Sequence, residues 1–415
     1  MNHSEKSVLV VGFNTRPLVY SLFSAGYKVY AVDFFGDLDL FPYVNDCLII
    51  TNKLGASYDT IKKSYSKFLA IFSLEMLYKH PEIDFLIIGS GLDDAYEERI
   101  MILKEIKNRK LEIISLNNPI KIIKKARDIE ELYKILIKQE YRVPITRSFE
   151  LYKNNFDSLQ FPFILKKKKS SGGINIFKVD NMEKFSFLLK ILENEEFIPS
   201  DWLIQEYIEG LPISCTVISN GEESQIISIN RQIIGEKYLN CPQEFIYCGN
   251  VVPANLLKND DVLISEISLK LTKELKLKGI NGFDFVLKDH FPYLMEINPR
   301  IPGSIRASES ALNLNLLDLH IRSFDINQWQ SIKKTLSKIK MTDFATKLII
   351  FAPKDIHPKE LMKLNELKYV HDKTDPSKSV SKGDPMCTIL YKDKTFSESY
   401  FGALKIVDKI YRIIK

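Results

Sequence analysis

The chain has no apolar run near the roughly 18 to 20 residues that a membrane-spanning helix needs, and its N-terminal "SVLVVGF" is short and soon interrupted by Arg16. Neither a membrane span nor a secretory leader is expected, and a cytoplasmic location is. Cysteine is scarce. The five present (Cys47, Cys215, Cys241, Cys248, Cys387) are odd in number, scattered and without CxxC spacing, which argues against a zinc site and against a disulfide framework. Excess charge of one sign is missing as well: 58 basic against 53 acidic residues leave a formal +5, too small a surplus to argue for a nucleic-acid partner. Of a GxGxxG fingerprint only Gly12 is present, and GxxxxGK[ST] is absent, so neither a dinucleotide site nor a Walker loop is expected. Internal repeats and low-complexity tracts are lacking too.

What is present is a globular composition, 45% hydrophobic and 27% charged, over 415 residues, too long for one ordinary core and suited to two or three domains. "SVLVVGFNTRPLVYSLFSAGYKVYAVD" reads as strand, turn, helix, strand, with Gly26 ending the helix and Asp33 closing the second strand. A later strand, "DFLIIGSG", ends in Gly89, Ser90 and Gly91, at the edge where open parallel sheets bind ligands. Residues 1–118 therefore read as a small α/β domain. A helix running into Val143 and Pro144 leads to an α+β block of short strands with amphipathic helices near Met182 to Glu193 and Asp260 to Lys276. A third, shorter segment, 331–415, holds "KLIIFAPKD", "GDPMCTIL" and a final amphipathic helix.

The most informative stretch is "GFDFVLKDHFPYLMEINPR", Gly282 to Arg300. Its alternation reads as two strands about a turn; centred on His290, the turn puts Asp284 across from Glu296, with Asn298 two residues later on the same face. Phe283, Phe285, Leu287, Met295 and Ile297 take the other face, toward a core. Two carboxylates directly opposed repel, and a divalent cation would offset the repulsion. Magnesium keeps waters and takes one or two carboxylates plus substrate phosphates, so a nucleotide is implied, and Arg300 follows with a planar donor fork suited to phosphate or carboxylate.

Two other stretches carry weaker signals. "FPFILKKKKSSGGINIFKV" sets a lysine at a strand end before a Ser/Gly loop whose amides could approach phosphate oxygens; a solvated basic turn is the competing reading. "WLIQEYIEGLPIS" ends a strand in Gln205 and Glu206, able to present backbone and side-chain groups to a flat heterocycle, or is simply a strand with a turn.

These three stretches, in this order, resemble the ATP-grasp superfamily of carboxylate-amine ligases and biotin-carboxylase relatives, over roughly residues 120 to 325. Within it, "SINRQIIGE", "FIYCGNVVP" and "GDPMCTIL" are most similar to the group of predicted carboligases. The resemblance implies an ATP-grasp fold: a Rossmann-like preceding domain at 1–118, an ATP-grasp domain at 119–330 with a lid subdomain at about 145–207, and a small C-terminal α+β domain at 331–415. It implies ATP with magnesium or manganese. Lys166 matches the lysine on the phosphates, Ser170, Ser171, Gly172 and Gly173 the flexible lid, and Gln205, Glu206 and Ile208 the adenine hinge. Asp284, Glu296 and Asn298 match metal ligands, and Arg300 the arginine that steadies the transferred phosphoryl group. Three positions depart from the pattern. Ile129 stands where a lysine often follows an Arg-Asp pair, leaving Lys125 or Arg127 to substitute or the contact absent; Lys167 replaces the usual proline; and the ribose carboxylate has no counterpart near Pro212 and Ser214.

Four further residues are substrate candidates: Arg231 and Gln232 in mid-strand, Arg306 in "PRIPGSIRAS", and Ser90 at the first sheet's edge. For Asp93 and Asp94, acids complementing a helix N-terminus are the preferred reading. His290 and His320 have no companions suggesting a triad or metal, and Met362-Lys363 sits in a helical pattern rather than a biotin-carrying hairpin. The expected activity is phosphorylation of a carboxylate by ATP and attack on the acyl phosphate by an amine, with small-molecule partners and no nucleic acid or membrane; the resemblance is compatible with a homodimer. The rivals are a bicarbonate-dependent carboxylase and a non-catalytic nucleotide-binding module.

Overall fold

The computed structural model describes residues 6–414 except 57, 153–155, 157–158, 171 and 195–196, and its strands form three sheets. The first is parallel, in the order β3-β2-β1-β4-β5, from β1 (Ser7–Gly12), β2 (Lys28–Asp33), β3 (Asp46–Ile49), β4 (Phe85–Ile88) and β5 (Ile114–Ser115). The β1 run "SVLVVG" is buried throughout because both faces are covered: Val8 and Val10 enter one core while Leu9 and Val11 enter another on the opposite side. Pro17 opens the helix Arg16–Ser24, and Gly26, at φ +90°, turns the chain back into β2. The strand order reverses at β1, so the loops after Gly12 and Ile88 diverge around a crevice at the carboxyl ends of the strands.

The helical stretch that follows is interrupted, contrary to a single helix running on to Val143. Asp128 accepts a hydrogen bond from the Glu131 amide (3.1 Å) and caps a second helix, Ile129–Lys138, after Ile120–Ala126. Arg127 lies at the break.

The second sheet is small and antiparallel, β6-β9-β7-β8, from β6 (Thr146–Ser148), β7 (Phe163–Lys167), β8 (Ile176–Val179) and β9 (Trp202–Glu206). The helix Met182–Glu193 covers one face, packing Phe185 and Leu188 with Phe163, Leu165 and Trp202. The third sheet has eight strands in the order β14-β13-β10-β11-β12-β15-β17-β16. They are β10 (Leu211–Asn220), β11 (Ser224–Ile234), β12 (Tyr247–Val252), β13 (Lys278–Lys288), β14 (Phe291–Asn298), β15 (Phe344–Phe351), β16 (Val370–His371) and β17 (Pro385–Asp393). The strands after residue 330 thus extend the large sheet beyond β12 rather than forming one of their own. The helix Lys258–Leu275 buries Ile264, Ile267 and Leu271 on Ile213, Cys215 and Phe283, and the last helix, Phe396–Ile413, buries Ala403, Val407 and Ile410 among Leu348, Ile350 and Ile389. All five cysteines are free thiols, and among the described residues no helix is long and apolar enough to cross a membrane.

Candidate active site

The small and large sheets line a cleft of about 750 Å³, within the range of small-molecule sites. The hairpin β13–β14 supplies its acids. Asp289 and His290 both have positive φ (+49° and +65°), forming a two-residue turn whose twist suits antiparallel strands. From Lys288↔Phe291 the ladder runs regularly to Phe285↔Leu294, then slips: the next pair is Asp284↔Glu296, with Met295 as the extra residue. Without this bulge Glu296 would oppose Phe283, on the core face. The expected Asp284–Glu296 pairing is present, but through an earlier turn plus a bulge. As a consequence Met295, expected in the core, lines the cleft, and Leu294 fills the core.

Asn298 Nδ2 donates to Asp284 Oδ2 (2.8 Å) and to Glu296 Oε1 (3.1 Å), and Gln232 Nε2 donates to Asp284 Oδ1 (2.9 Å). Burial, and next the Glu296 charge, push the Asp284 carboxyl well above the usual range. Among the described residues no group of three His, Cys, Asp or Glu side chains could hold a metal. Two adjacent carboxylates with an amide nevertheless fit magnesium, which needs only one or two carboxylates when phosphates supply the remaining oxygens. Rotating the Asn298 amide would turn its oxygen inward.

Lys166, at the end of β7, also lines the cleft, and burial pushes its ammonium down to about 8, with Glu296 opposing the shift. The loop after it is seated at two points: Arg127 Nη2 donates to Ser170 O (2.6 Å) and the Tyr247 amide donates to Gly172 O (3.3 Å). Gly173, at φ +85°, packs so closely that a Cβ there would lie 1.9 Å from Phe245 O. Ser171 lies outside the described residues. At the hinge, Gln205 is buried and spends its amide nitrogen on Tyr133 Oη (3.0 Å) and Thr146 Oγ1 (2.8 Å), while Glu206 Oε2 accepts from the Ile145 amide (3.1 Å). These bonds turn both side chains to bracing the hinge, whose cleft wall continues through Ile208.

Arg300 is held from the first sheet's edge: its Nε donates to Asp93, and its Nη1 donates to Ile301 O (3.1 Å). Burial raises the Asp93 carboxyl, but Arg300, Arg127 and Arg99 outweigh it and keep it below the usual carboxylate range. Arg127 makes a two-pronged pair with Asp94 (3.1 and 2.8 Å) and stands 3.7 Å from Glu296, so of the two cations considered as substitutes for the lysine that Ile129 replaces it is Arg127 that reaches the cleft. Asp93 and Asp94 are therefore clamps on two cleft arginines; the helix Tyr96–Asn108 begins after Ala95 without a side-chain cap. Sequence reasoning missed this role. The available signal was two acids directly after the Gly-rich end of a parallel strand.

Ser90 lines the cleft, and its carbonyl accepts from the Phe13 amide (2.9 Å). Gln232 joins the acids, whereas its neighbour Arg231 lies on the opposite face of β11, exposed, with its guanidinium 5.5 Å from the Phe396 ring. Arg306 sits behind the loop 302–304 that closes the cleft, paired with Glu309 and 4.3 Å over Tyr20.

Residues 126–304 match the ATP-grasp domain family. Along nearly its whole length the chain is similar to an uncharacterised protein of Methanocaldococcus jannaschii, 28% identical over 392 residues, 93% of this chain and 88% of that one. Among solved structures it resembles the L-amino acid ligase from Bacillus licheniformis (TM-score 0.66, 16% identity, 97% of each chain covered). It also resembles carboxyaminoimidazole ribonucleotide synthase from Aspergillus clavatus complexed with ATP (TM-score 0.69, 16% identity, 98% of this chain and 100% of that one). At such identities the likeness to the solved structures is one of fold.

Proposed function

We propose, on the premise that residues 126–304 are an ATP-grasp domain, that the protein is an ATP-dependent ligase that phosphorylates a carboxylate and couples the acyl group to an amine. The observation that carries this reading is the convergence of Lys166, Arg300 and the Asp284–Glu296 pair on one cleft. Cations and paired acids there suit the outer phosphates of a nucleotide, where charge moves during phosphoryl transfer. Magnesium, when bound, would supply charge neutralisation at the outer phosphates. Asp284, Glu296 and Asn298 would hold it. Lys166 binds phosphate oxygens as a point charge, and Arg300, its Nε fixed by Asp93, offers its remaining nitrogen to the transferred group. The loop at 170–173, seated on Arg127 and Tyr247, excludes water that would hydrolyse the acyl phosphate. Gln205 and Glu206 hold the hinge strand against which a flat base can lie.

A carboxylate oxygen is a poor leaving group; once phosphorylated it leaves as phosphate, so the nucleotide product is ADP. The test incubates the protein with ATP, magnesium and pooled acids and amines and seeks a coupled product by mass spectrometry, with hydroxylamine as a trap. A hydroxamate with ADP and phosphate is expected. AMP with pyrophosphate would overturn the acyl-phosphate step, and ADP release that depends on bicarbonate alone would replace the ligase with a carboxylase.

A further inference from the structure

The segment that joins β11 to β12 carries Cys241, Cys248 follows at the start of β12, and the phosphoryl-transfer chemistry uses neither. Cys241 is half-buried and Cys248 fully buried. Both sulfurs gather at one carbonyl: Cys248 Sγ is 3.4 Å from Ile246 O and Cys241 Sγ 3.9 Å from the same oxygen, with Gln243 O a second contact of Cys241 at 3.1 Å. Burial, and next the Cys241 thiol beside it, push the Cys248 thiol up to about 12. The remaining cysteine of this core, Cys387, is on β17, on the far side of β15 from β12, so the fold makes Cys241 and Cys248 each other's neighbours.

The stretch between the two thiols is the seat of the loop that follows β7. The Tyr247 amide donates to Gly172 O (3.3 Å), and Phe245 O is the atom that leaves Gly173 no room for a Cβ. On its other side the seat rests on Gly235, whose amide donates to Ile246 O (2.9 Å) and where a Cβ would lie 2.0 Å from Glu244 O. Backbone is thus packed on backbone at both sides, with no side chain between to absorb a shift. The two ends are anchored elsewhere. Asn240 Nδ2 donates to Tyr411 Oη (2.7 Å) and Tyr238 Oη donates to Asp408, both on the last helix, while Cys248 is followed directly by Gly249, packed on Lys347 O of β15. A disulfide holds its sulfurs about 2.05 Å apart, well inside the contact distance of two thiols. Closing one here draws residues 241 and 248 together, and the movement falls on 242–247.

We infer that Cys241 and Cys248 are a reversible redox pair, oxidised by a peroxide to a disulfide that draws the seat away from the loop after β7. Cys241, the less buried of the two, attacks a peroxide oxygen, giving a sulfenic acid and one water; the Cys248 sulfur then displaces that hydroxyl, giving the disulfide and a second water. The two thiols lose two electrons and two protons, one peroxide is reduced, and a dithiol reverses the change. The consequence for turnover, water reaching the cleft, rests on the ligase reading; the bond and the release of the loop do not, and both are read without ATP. The whole protein is treated with hydrogen peroxide and its mass measured, and an endoprotease that cuts after Glu244, between the two cysteines, then shows whether the flanking peptides stay joined. A mass lower by two hydrogens and a peptide pair joined through Cys241 and Cys248 are expected, both reversed by dithiothreitol. Brief exposure of the folded protein to trypsin should cut after Lys167 to Lys169 about fivefold faster when oxidised, the worth of one backbone hydrogen bond. Cys241→Ser and Cys248→Ala should each abolish the join and the added cutting while keeping the reduced protein's cutting rate and melting temperature. Oxidation that stops at a sulfinic acid, a join to Cys47, Cys215 or Cys387, or a Cys241–Cys248 disulfide that leaves trypsin cutting unchanged overturns the inference. If the join and the cutting behave as expected and no acid is ever coupled to an amine, the redox pair stands and the ligase reading falls.

Discussion

Four consecutive lysines follow Leu165, and their environments differ. Lys166 is drawn into the cleft, with its ammonium held down to about 8 from the ordinary 10.5 by burial. Lys168 is exposed 3.6 Å from Glu130, and Lys169 is exposed with Nζ 5.7 Å from the Tyr96 ring. A depressed lysine is partly neutral above pH 8, and phosphate oxygens favour its charged form. Nucleotide binding at pH 9 should therefore take up close to one proton, and at pH 6.5 almost none; calorimetry in buffers of different ionisation enthalpy reads the difference. Lys166→Ala should abolish the uptake and weaken ATP at least about tenfold, whereas Lys169→Ala should leave both in place. Glu296 lends itself to a cleaner test of the acid pair, since its side chain is 39% exposed and an amide there opens no cavity. Glu296→Gln should leave melting unchanged and reduce ADP release by about a hundredfold or more, the scale of losing one charge at the transferring group. Normal turnover in that variant would remove the metal assignment.

At the scale of elements, the hairpin and the loop that follows β7 both depend on backbone detail. The β13–β14 turn and the Met295 bulge compensate each other, so that Glu296 shares a face with Asp284 despite a turn that alone would set it toward the core. The loop after β7 depends on Gly173, since φ +85° disfavours any side chain and Phe245 O leaves no room for one. Gly173→Ala should unseat the loop from Tyr247. Because the loop is peripheral, the expected result is a small change in melting, of order 1 kcal/mol, together with a large fall in coupled product relative to ADP formed, as water reaches the acyl phosphate. A variant with normal coupling would show that this contact is not what shields the intermediate.

Across the whole molecule, the first sheet is tied to the large one by charged and polar contacts as well as by a shared core. His320 is one such tie. Its Nδ1 accepts from the Ile280 amide (2.9 Å) and its Nε2 lies 3.1 Å from Leu116 O, in a space left open by Gly279. Burial pushes it down to about 4 from 6.5, so the neutral ring favours the folded state fully above pH 6.5, and that stability is lost as pH falls toward 4. The loss is about 3 kcal/mol over that interval. His320→Gln, which keeps an acceptor and a donor without titrating, should lack this component; chemical denaturation at pH 7 and pH 4.5 compares the two, and parallel losses in both proteins would exclude it.

Local periodicity, turn residues such as Gly26 and alternation along a strand were enough to read the opening strand–helix–strand unit, the amphipathic helices and the hairpin with its acids from the chain's own residues. The helix Met182–Glu193 lies where its pattern put it, and Asp284 meets Glu296 as expected. Tertiary structure alone decided what joins across the chain. Asp93 and Asp94 clamp Arg300 and Arg127, 207 and 33 residues away; Gln232 reaches Asp284 while its neighbour Arg231 turns to Phe396; and β15 continues the large sheet beside β12. Such pairings are fixed by which charged groups become buried together, where an unpaired charge costs most, and local spacing in one sequence carries no record of that partner choice.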